Sequence, residues 1–170
     1  TLDDVKAAHA NVKPQIYHSP CMLSQTLSKL TGSQAYPELE NLQMTGAFKE
    51  RGALNKLLSL TEAERQNGVI AASAGNHAQG VAYHAARLGI KATIVMPEGT
   101  PLNKINNTKK HGAEVLLYGR NYDEAFEEAI YKQQKEGFHF IHAFDDELVM
   151  AGQGTIGMEI VEDGIEPDAV

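Results

Sequence analysis

Short apolar segments alternate with longer amphipathic segments from residue 69 onward, and this alternation limits the fold more than any other feature. The apolar segments have the length and composition of buried strands, and the amphipathic ones have helical spacing. Because consecutive parallel strands need right-handed crossovers, the pattern predicts an open, doubly wound parallel sheet over about residues 67–148. The predicted strands are "VIAASA" (69–74), "KATIVMP" (91–97), "AEVLLYG" (113–119) and "FHFIHAF" (138–144).

The segments on either side of this alternation differ from it. Helices are predicted at residues 2–11 and 23–31, in "AFKERGALNKLLSL" and in "DDELVMAGQGTIGMEIVEDG", and a strand weakened by Pro37 is predicted in "QAYPELENL". The final "EPDAV" resembles the start of another strand. Since a finished domain rarely leaves an unpaired strand edge, we expect the chain to be a fragment.

Composition excludes several classes of protein. The net charge of −7 argues against non-specific nucleic-acid binding, which uses clustered Lys and Arg. No apolar run approaches the ~20 residues that span a membrane, so no membrane association is expected. Cys21 is the only cysteine and cannot form an internal disulfide, which predicts a reducing compartment and a cytoplasmic location.

The segment "SAGNHAQG" (73–80) lies where the first predicted strand turns into a helix. Free N–H groups and the positive end of the helix dipole make such a turn an anion site. Ser73 and Asn76 could instead simply cap the helix. His77 could be a base, although a histidine here is more often structural. The histidine spacings do not fit a zinc site, so no metal is predicted.

The segment "TGAFKERG" (45–52) places Lys49 near a predicted helix start. If this lysine lies near the strand-end anion site, its amine could form a Schiff base with a carbonyl cofactor. A surface lysine is the alternative. Arg51 would face away from Lys49 on a helix and is expected to be a surface or interface charge. "GQGTIG" (152–157) matches a dinucleotide-binding pattern but lies within a predicted helix, so we interpret its glycines as packing positions.

Three segments together, "ENLQMTGAFKERGA", "SAGNHAQGVA" and "AGQGTIGMEI", closely resemble threonine dehydratases (threonine ammonia-lyases). These are pyridoxal 5′-phosphate enzymes of the tryptophan-synthase-β fold group. The resemblance implies a sheet lobe of residues 67–148 inserted in a larger cofactor lobe, to which residues 1–66 and 149–170 would belong. It also implies β-elimination and deamination of L-threonine to 2-oxobutanoate and ammonia, with serine giving pyruvate.

The resemblance assigns roles to individual residues. Lys49 would bind the cofactor covalently and shuttle the Cα proton, Phe48 would flank the cofactor ring, and Asn76 would bond its 3′-hydroxyl. Ser73, Gly75 and His77 would form the loop that receives the substrate carboxylate. A homo-oligomer, dimer or tetramer, would be expected for the full-length protein, and biosynthetic (isoleucine) and catabolic roles both stay open.

This sequence also departs from the family pattern. Ala74 replaces the serine that serves as proton donor in serine racemases, which disfavours racemisation; Ala47 replaces a serine before Phe-Lys; and "YPELEN" replaces the usual Leu-Lys-x-Glu-Asn. The family's phosphate loop would follow "DAV", so the 170-residue chain alone is expected to be nearly inactive. The alternatives are a non-catalytic fragment or subunit that needs the missing half, a serine racemase-like enzyme and, from "GQGTIG", a nicotinamide-dependent oxidoreductase.

Overall fold

The computed structural model describes all residues 1–170 and contains one four-stranded parallel sheet. The strands lie in the four predicted segments but are shorter, and their order across the sheet is β3-β2-β1-β4. The predicted parallel α/β architecture is therefore confirmed. The strands are β1 (Val69–Ala72), β2 (Ala92–Met96), β3 (Glu114–Leu117) and β4 (His139–Phe140).

Helices cover both faces of the sheet, and helices and loops form the rest of the chain. One short helix, α4, was not predicted, although Thr61 and Glu64 form a capping box that marks its start. No helix is long and apolar enough to cross a lipid bilayer. The helices are α1 (Leu2–Val12), α2 (Gln25–Thr31), α3 (Lys49–Leu58), α4 (Glu62–Asn67), α5 (Asn76–Arg87), α6 (Leu102–Lys110), α7 (Tyr122–Glu136) and α8 (Glu147–Glu162).

Two separate hydrophobic clusters show that the sheet is doubly wound. Val69 and Ala71 of β1 belong to a cluster that includes residues of α3, α5 and α6. Ile70 and Ala72 belong to a second cluster with Ala129 of α7. Because successive side chains of a strand point to opposite faces, β1 is covered by helices on both sides.

The strand order reverses beside β1. Strands β1, β2 and β3 follow one another outward, whereas β4 pairs with the other edge of β1. At such a reversal the loops leaving adjacent strands diverge, and ligands of open α/β sheets bind in the crevice at the carboxyl ends of the strands. Here that crevice lies between the turn that follows β1 and the loop that follows β4.

Two strand predictions are wrong. "QAYPELENL" forms only one bridge, between Cys21 and Glu38, and then a 3-10 turn over Glu40–Leu42. Pro37 has no N–H to donate to a ladder, and no extended neighbour pairs with this segment. Residues 166–170 also lie outside any strand, because no other strand in the structure pairs with them.

Helix α3 crosses α8 at backbone contact distance. A Cβ atom built on Gly152 would lie 2.6 Å from the Cα of Gly52 and 2.8 Å from the carbonyl oxygen of Arg51. "GQGTIG" lies wholly inside α8 and follows no strand, which excludes the dinucleotide interpretation. Its first glycine is a packing position, as the sequence predicted.

Arg51 is buried, not at the surface as its helical position suggested. Its guanidinium donates to the Glu40 and Glu159 carboxylates at 2.7–2.8 Å, and to the Thr155 hydroxyl at 3.1 Å. Burial by itself lowers the pKa of Arg51, but the two carboxylates raise it by more, so the pKa lies above its ordinary value. Both carboxylates accept two hydrogen bonds, so the charge is fully paired. Arg51 is buried because α3 packs against α8, and no sequence pattern indicates this contact.

The close crossing predicts opposite effects for two glycines of "GQGTIG". Gly152→Ala should destabilise the chain by about 2 kcal/mol or more, because its methyl group overlaps the α3 backbone. Gly157→Ala should be neutral or stabilising by up to about 1 kcal/mol, because no atom lies within 4 Å of its Cβ position and alanine favours helix. Urea unfolding of both variants checks this, and equal effects would contradict the crossing.

Candidate active site

Two predicted site residues reach the same loop at the reversal of strand order. Lys49 is the first residue of α3, and its Nζ donates to the carbonyl oxygen of Ala143 at 2.9 Å. His77, in the first turn of α5, contacts the carbonyl oxygen of Ile141 through Nε2 at 3.1 Å. Ile141 and Ala143 follow β4, so the structure brings Lys49 and the "SAGNH" turn together across the crevice.

The first turn of α5 is open to an anion. Its N-cap is Gly75, which has no side chain, whereas the N-cap side chains of α1, α2, α4, α7 and α8 accept bonds from their own first turns. Ser73 Oγ accepts from the N–H of Gly75 at 3.2 Å, which closes the turn before the helix. Asn76 is exposed and its amide makes no hydrogen bond within the chain. Simple capping of α5 by Ser73 and Asn76 is therefore excluded, and the positive helix end stays free.

The amine of Lys49 has no acidic partner. Other lysines, such as Lys56, form ion pairs, whereas the hydrogen-bond partner of Lys49 is a backbone carbonyl. Its Nζ also lies 5.4 Å from the ring centre of Phe48, whose side chain is 39% exposed. A half-buried amine without a carboxylate is free to react with a carbonyl compound that enters the crevice. This arrangement differs from the alternative of an ordinary surface lysine.

His77 is neutral in this setting. Burial lowers its pKa to about 4, and the positive charge of Lys49 adds to the effect. Since Nε2 donates to a carbonyl, Nδ1 keeps its lone pair, and this buried atom has no partner. An acceptor nitrogen does not bind a carboxylate. What His77 can offer a substrate carboxylate is therefore its backbone N–H in the first turn of α5.

These residues fit part of a pyridoxal phosphate molecule. The Lys49 amine suits the aldehyde, the Phe48 ring offers an apolar face, and the free amide of Asn76 suits a phenolic oxygen. A Cβ atom on Gly75 would meet no atom within 4 Å, so the turn leaves room for a ligand. A cavity of about 530 Å³ lies elsewhere, against Tyr36 and residues 165–170, and does not include Lys49.

Sequence reasoning missed several groups around Lys49. The carbonyls of Ile141 and Ala143 could not be found, because backbone acceptors have no sequence pattern. Glu50 and His84 are both fully buried next to the site. The spacing of His77, Gly80 and His84 at i, i+3 and i+7 on α5 could have indicated a shared helix face.

Comparisons with known proteins identify the family of this chain. The profile of the family described as "Pyridoxal-phosphate dependent enzyme" matches residues 12–170. An L-threonine ammonia-lyase of Thermotoga maritima is 53% identical over 163 residues, which are 96% of this chain and 41% of that protein. The "L-threonine dehydratase catabolic TdcB" of Staphylococcus aureus strain N315 is 49% identical over 166 residues, 96% of this chain and 47% of that protein.

Solved structures show the same fold. A serine racemase from Dictyostelium discoideum is 35% identical with a TM-score of 0.90, over 98% of this chain and 54% of that one. The chain thus spans about half the length of the proteins it matches or less. The resemblance noted in the sequence is confirmed, together with pyridoxal phosphate as the cofactor of the family. The chain belongs to the pyridoxal-phosphate dependent enzyme family, within which it is similar to threonine dehydratases.

Proposed function

We propose that the full-length protein containing this chain is a threonine ammonia-lyase. It converts L-threonine to 2-oxobutanoate and ammonia, and L-serine to pyruvate. The observation that carries the proposal is the position of the Lys49 amine, which forms no ion pair. It lies at the crevice between the segments that follow β1 and β4, on the side opposite the uncapped start of α5. The similarity to threonine dehydratases, 49–53% identical over 96% of the chain, supports the substrate.

Each residue of the site has a role in this proposal. The N–H groups of Asn76 and His77 at the start of α5 bind the substrate carboxylate, while the N–H of Gly75 donates to Ser73 Oγ and closes the turn before them. Asn76 would donate its amide to the 3′-hydroxyl of the cofactor, and Phe48 would offer an apolar face to the ring. Lys49 Nζ would hold the cofactor covalently and, once the substrate amino group has displaced it and left it a free amine, would take up the Cα proton. When bound, pyridoxal phosphate supplies the electron sink for loss of the β-hydroxyl group.

We infer the larger organisation from the same similarity. Residues 67–148 form a sheet lobe, and residues 1–66 with 149–170 belong to a larger cofactor lobe, with α3 between α5 and α8. The full-length protein is a cytoplasmic homo-oligomer. The name of the Staphylococcus aureus relative favours a catabolic role, whereas isoleucine biosynthesis rests on the sequence resemblance alone.

A serine racemase-like activity is the second candidate, and the similarity to the Dictyostelium discoideum enzyme favours it. Racemisation needs a proton donor on the face of the substrate opposite Lys49. Ala74, with no titratable group, occupies the position where the resemblance places that donor. Chiral analysis separates the two: D-serine formed from L-serine faster than pyruvate would replace the first proposal by the second.

Lys49→Arg in the full-length protein should abolish activity. Arginine keeps the positive charge but forms no Schiff base, so 2-oxobutanoate production should fall by about 10²-fold or more. Borohydride reduction with pyridoxal phosphate, followed by peptide mapping, should find no adduct on position 49. Lys56→Arg is the matched control on the same helix, since arginine can keep the ion pair with Asp146. An adduct retained in Lys49→Arg would refute the assignment.

The isolated 1–170 chain should bind pyridoxal phosphate weakly and release little 2-oxobutanoate. Its residues fit the aldehyde and hydroxyl end of the cofactor, while the family's phosphate loop lies downstream. Titration with pyridoxal phosphate and a 2-oxobutanoate assay, side by side with the full-length protein, measure both quantities. Steady turnover by the short chain would contradict this expectation.

The neutral state of His77 predicts a pH effect on stability. Its pKa is 6.5 in the unfolded chain and about 4 in the folded one, so protons favour the unfolded chain as the pH falls. The free energy of unfolding should therefore fall by on the order of 3 kcal/mol as the pH drops from above 6.5 toward 4. His77→Gln should flatten this part of the profile in urea unfolding. His18→Gln, the same substitution at an exposed histidine, is the matched control.

A further inference from the structure

Three residues of α5 face the start of α3 and hold it closely. His77, Gly80 and His84 are spaced along one buried face of α5. A Cβ atom on Gly80 would lie 3.0 Å from the Cα of Glu50 and 3.4 Å from the carbonyl carbon of Lys49. The backbone that carries the reactive lysine therefore rests directly against the helix whose first turn forms the anion site.

The Glu50 carboxylate closes the turn that leads into α3. Its Oε2 accepts from the backbone N–H of Thr45 at 2.7 Å and from the Thr45 hydroxyl at 2.7 Å. Glu50 is fully buried and Thr45 is nearly so. Since the two residues bracket Lys49, the carboxylate determines how residues 45–49 enter the helix.

His84 approaches the other oxygen of the same carboxylate. Its Nδ1 accepts from the Arg87 guanidinium at 3.3 Å, which places the ring proton on Nε2. This Nε2 lies 3.7 Å from Oε1 of Glu50, and neither buried atom has any other partner. Although burial raises the pKa of Glu50, the His84 and Thr45 donors lower it below its usual value.

We propose that Glu50 and His84 are positioning residues for Lys49. Glu50 fixes the turn before the lysine, and His84 attaches Glu50 to α5, so the amine and the start of α5 keep a fixed separation. The proposal rests on the threonine ammonia-lyase function for its catalytic meaning. Its structural content, an ordered turn over residues 45–49, is independent of that function.

The test uses four single variants of the full-length protein and one double variant. Glu50→Leu removes the acceptor of both Thr45 donors, and Glu50→Gln keeps an acceptor of nearly the same shape. His84→Leu removes the imidazole nitrogen that faces Glu50 Oε1 at 3.7 Å. Leu57→Ala is the matched control, because Leu57 is also fully buried on α3 but packs in the sheet cluster away from the lysine. The measurements are the Tm, amide hydrogen exchange of residues 44–50, borohydride trapping on Lys49, and kcat and KM for threonine.

Glu50→Leu should lower kcat by about tenfold or more with a KM within about twofold, because the amine is misplaced rather than the substrate site. It should also lose amide protection over residues 44–50 and slow the trapping on Lys49. Glu50→Gln should restore all three to within about threefold of the parent protein. Adding His84→Leu to Glu50→Leu should cause no further loss, since the two residues act in series.

Three results would overturn the proposal. One is a Leu57→Ala variant with an equal loss of Tm and an equal loss of kcat. Another is a Glu50→Gln variant as impaired as Glu50→Leu, and the third is additive effects of the Glu50 and His84 substitutions. A parent protein that forms neither the Lys49 adduct nor 2-oxobutanoate would instead refute the proposed function. The exchange of residues 44–50 would then still decide whether Glu50 orders the turn.

Discussion

Helix α3 passes between α5 and α8 with its backbone in contact with both, and the rest of the structure depends on this crossing. Gly80 on α5 meets the backbone of Lys49 and Glu50, and Gly152 on α8 meets the backbone at Gly52. A side chain at Gly80 or Gly152 would meet backbone atoms rather than a movable side chain, and one at Gly52 would meet the Val149 carbonyl oxygen as well as the Gln153 side chain. The position of the reactive lysine is therefore set by backbone packing, which is stiffer than side-chain packing.

Close backbone contact determines what the neighbouring side chains must do. With no room for water at the crossing, polar groups there need partners within the protein, and Arg51 satisfies this with Glu40 and Glu159. Breaking such a buried pair is costly, although the intact pair adds little net stability. The pair thus fixes how α8 lies along α3. A carboxylate oxygen of Glu38 also lies within 4.8 Å of oxygens of Glu40 and Glu159, so three acidic side chains meet beside this guanidinium.

The sequence predicted the sheet well because strand burial is a local, periodic property. The strands β1 and β2, within "VIAASA" and "KATIVMP", are buried on both faces. Strands buried in this way have continuous apolar sequences, which can be recognised without the structure. Arg51 and "QAYPELENL" were misjudged for the opposite reason. The burial of Arg51 comes from α8, about a hundred residues away, and a strand exists only if another strand pairs with it. Helix α4 was missed although its Thr-x-x-Glu cap was visible.

The site itself was half predictable. Lys49 and the "SAGNH" turn were found from residue type and the strand-to-helix transition, but the ring state of His77 depends on the Ile141 carbonyl and on burial. That neutral state has a chemical consequence. A protonated imidazole beside Lys49 would repel its ammonium and compete with the helix start for anions. With His77 neutral, no imidazolium competes with the start of α5 for an anion, and none lies beside Lys49 Nζ.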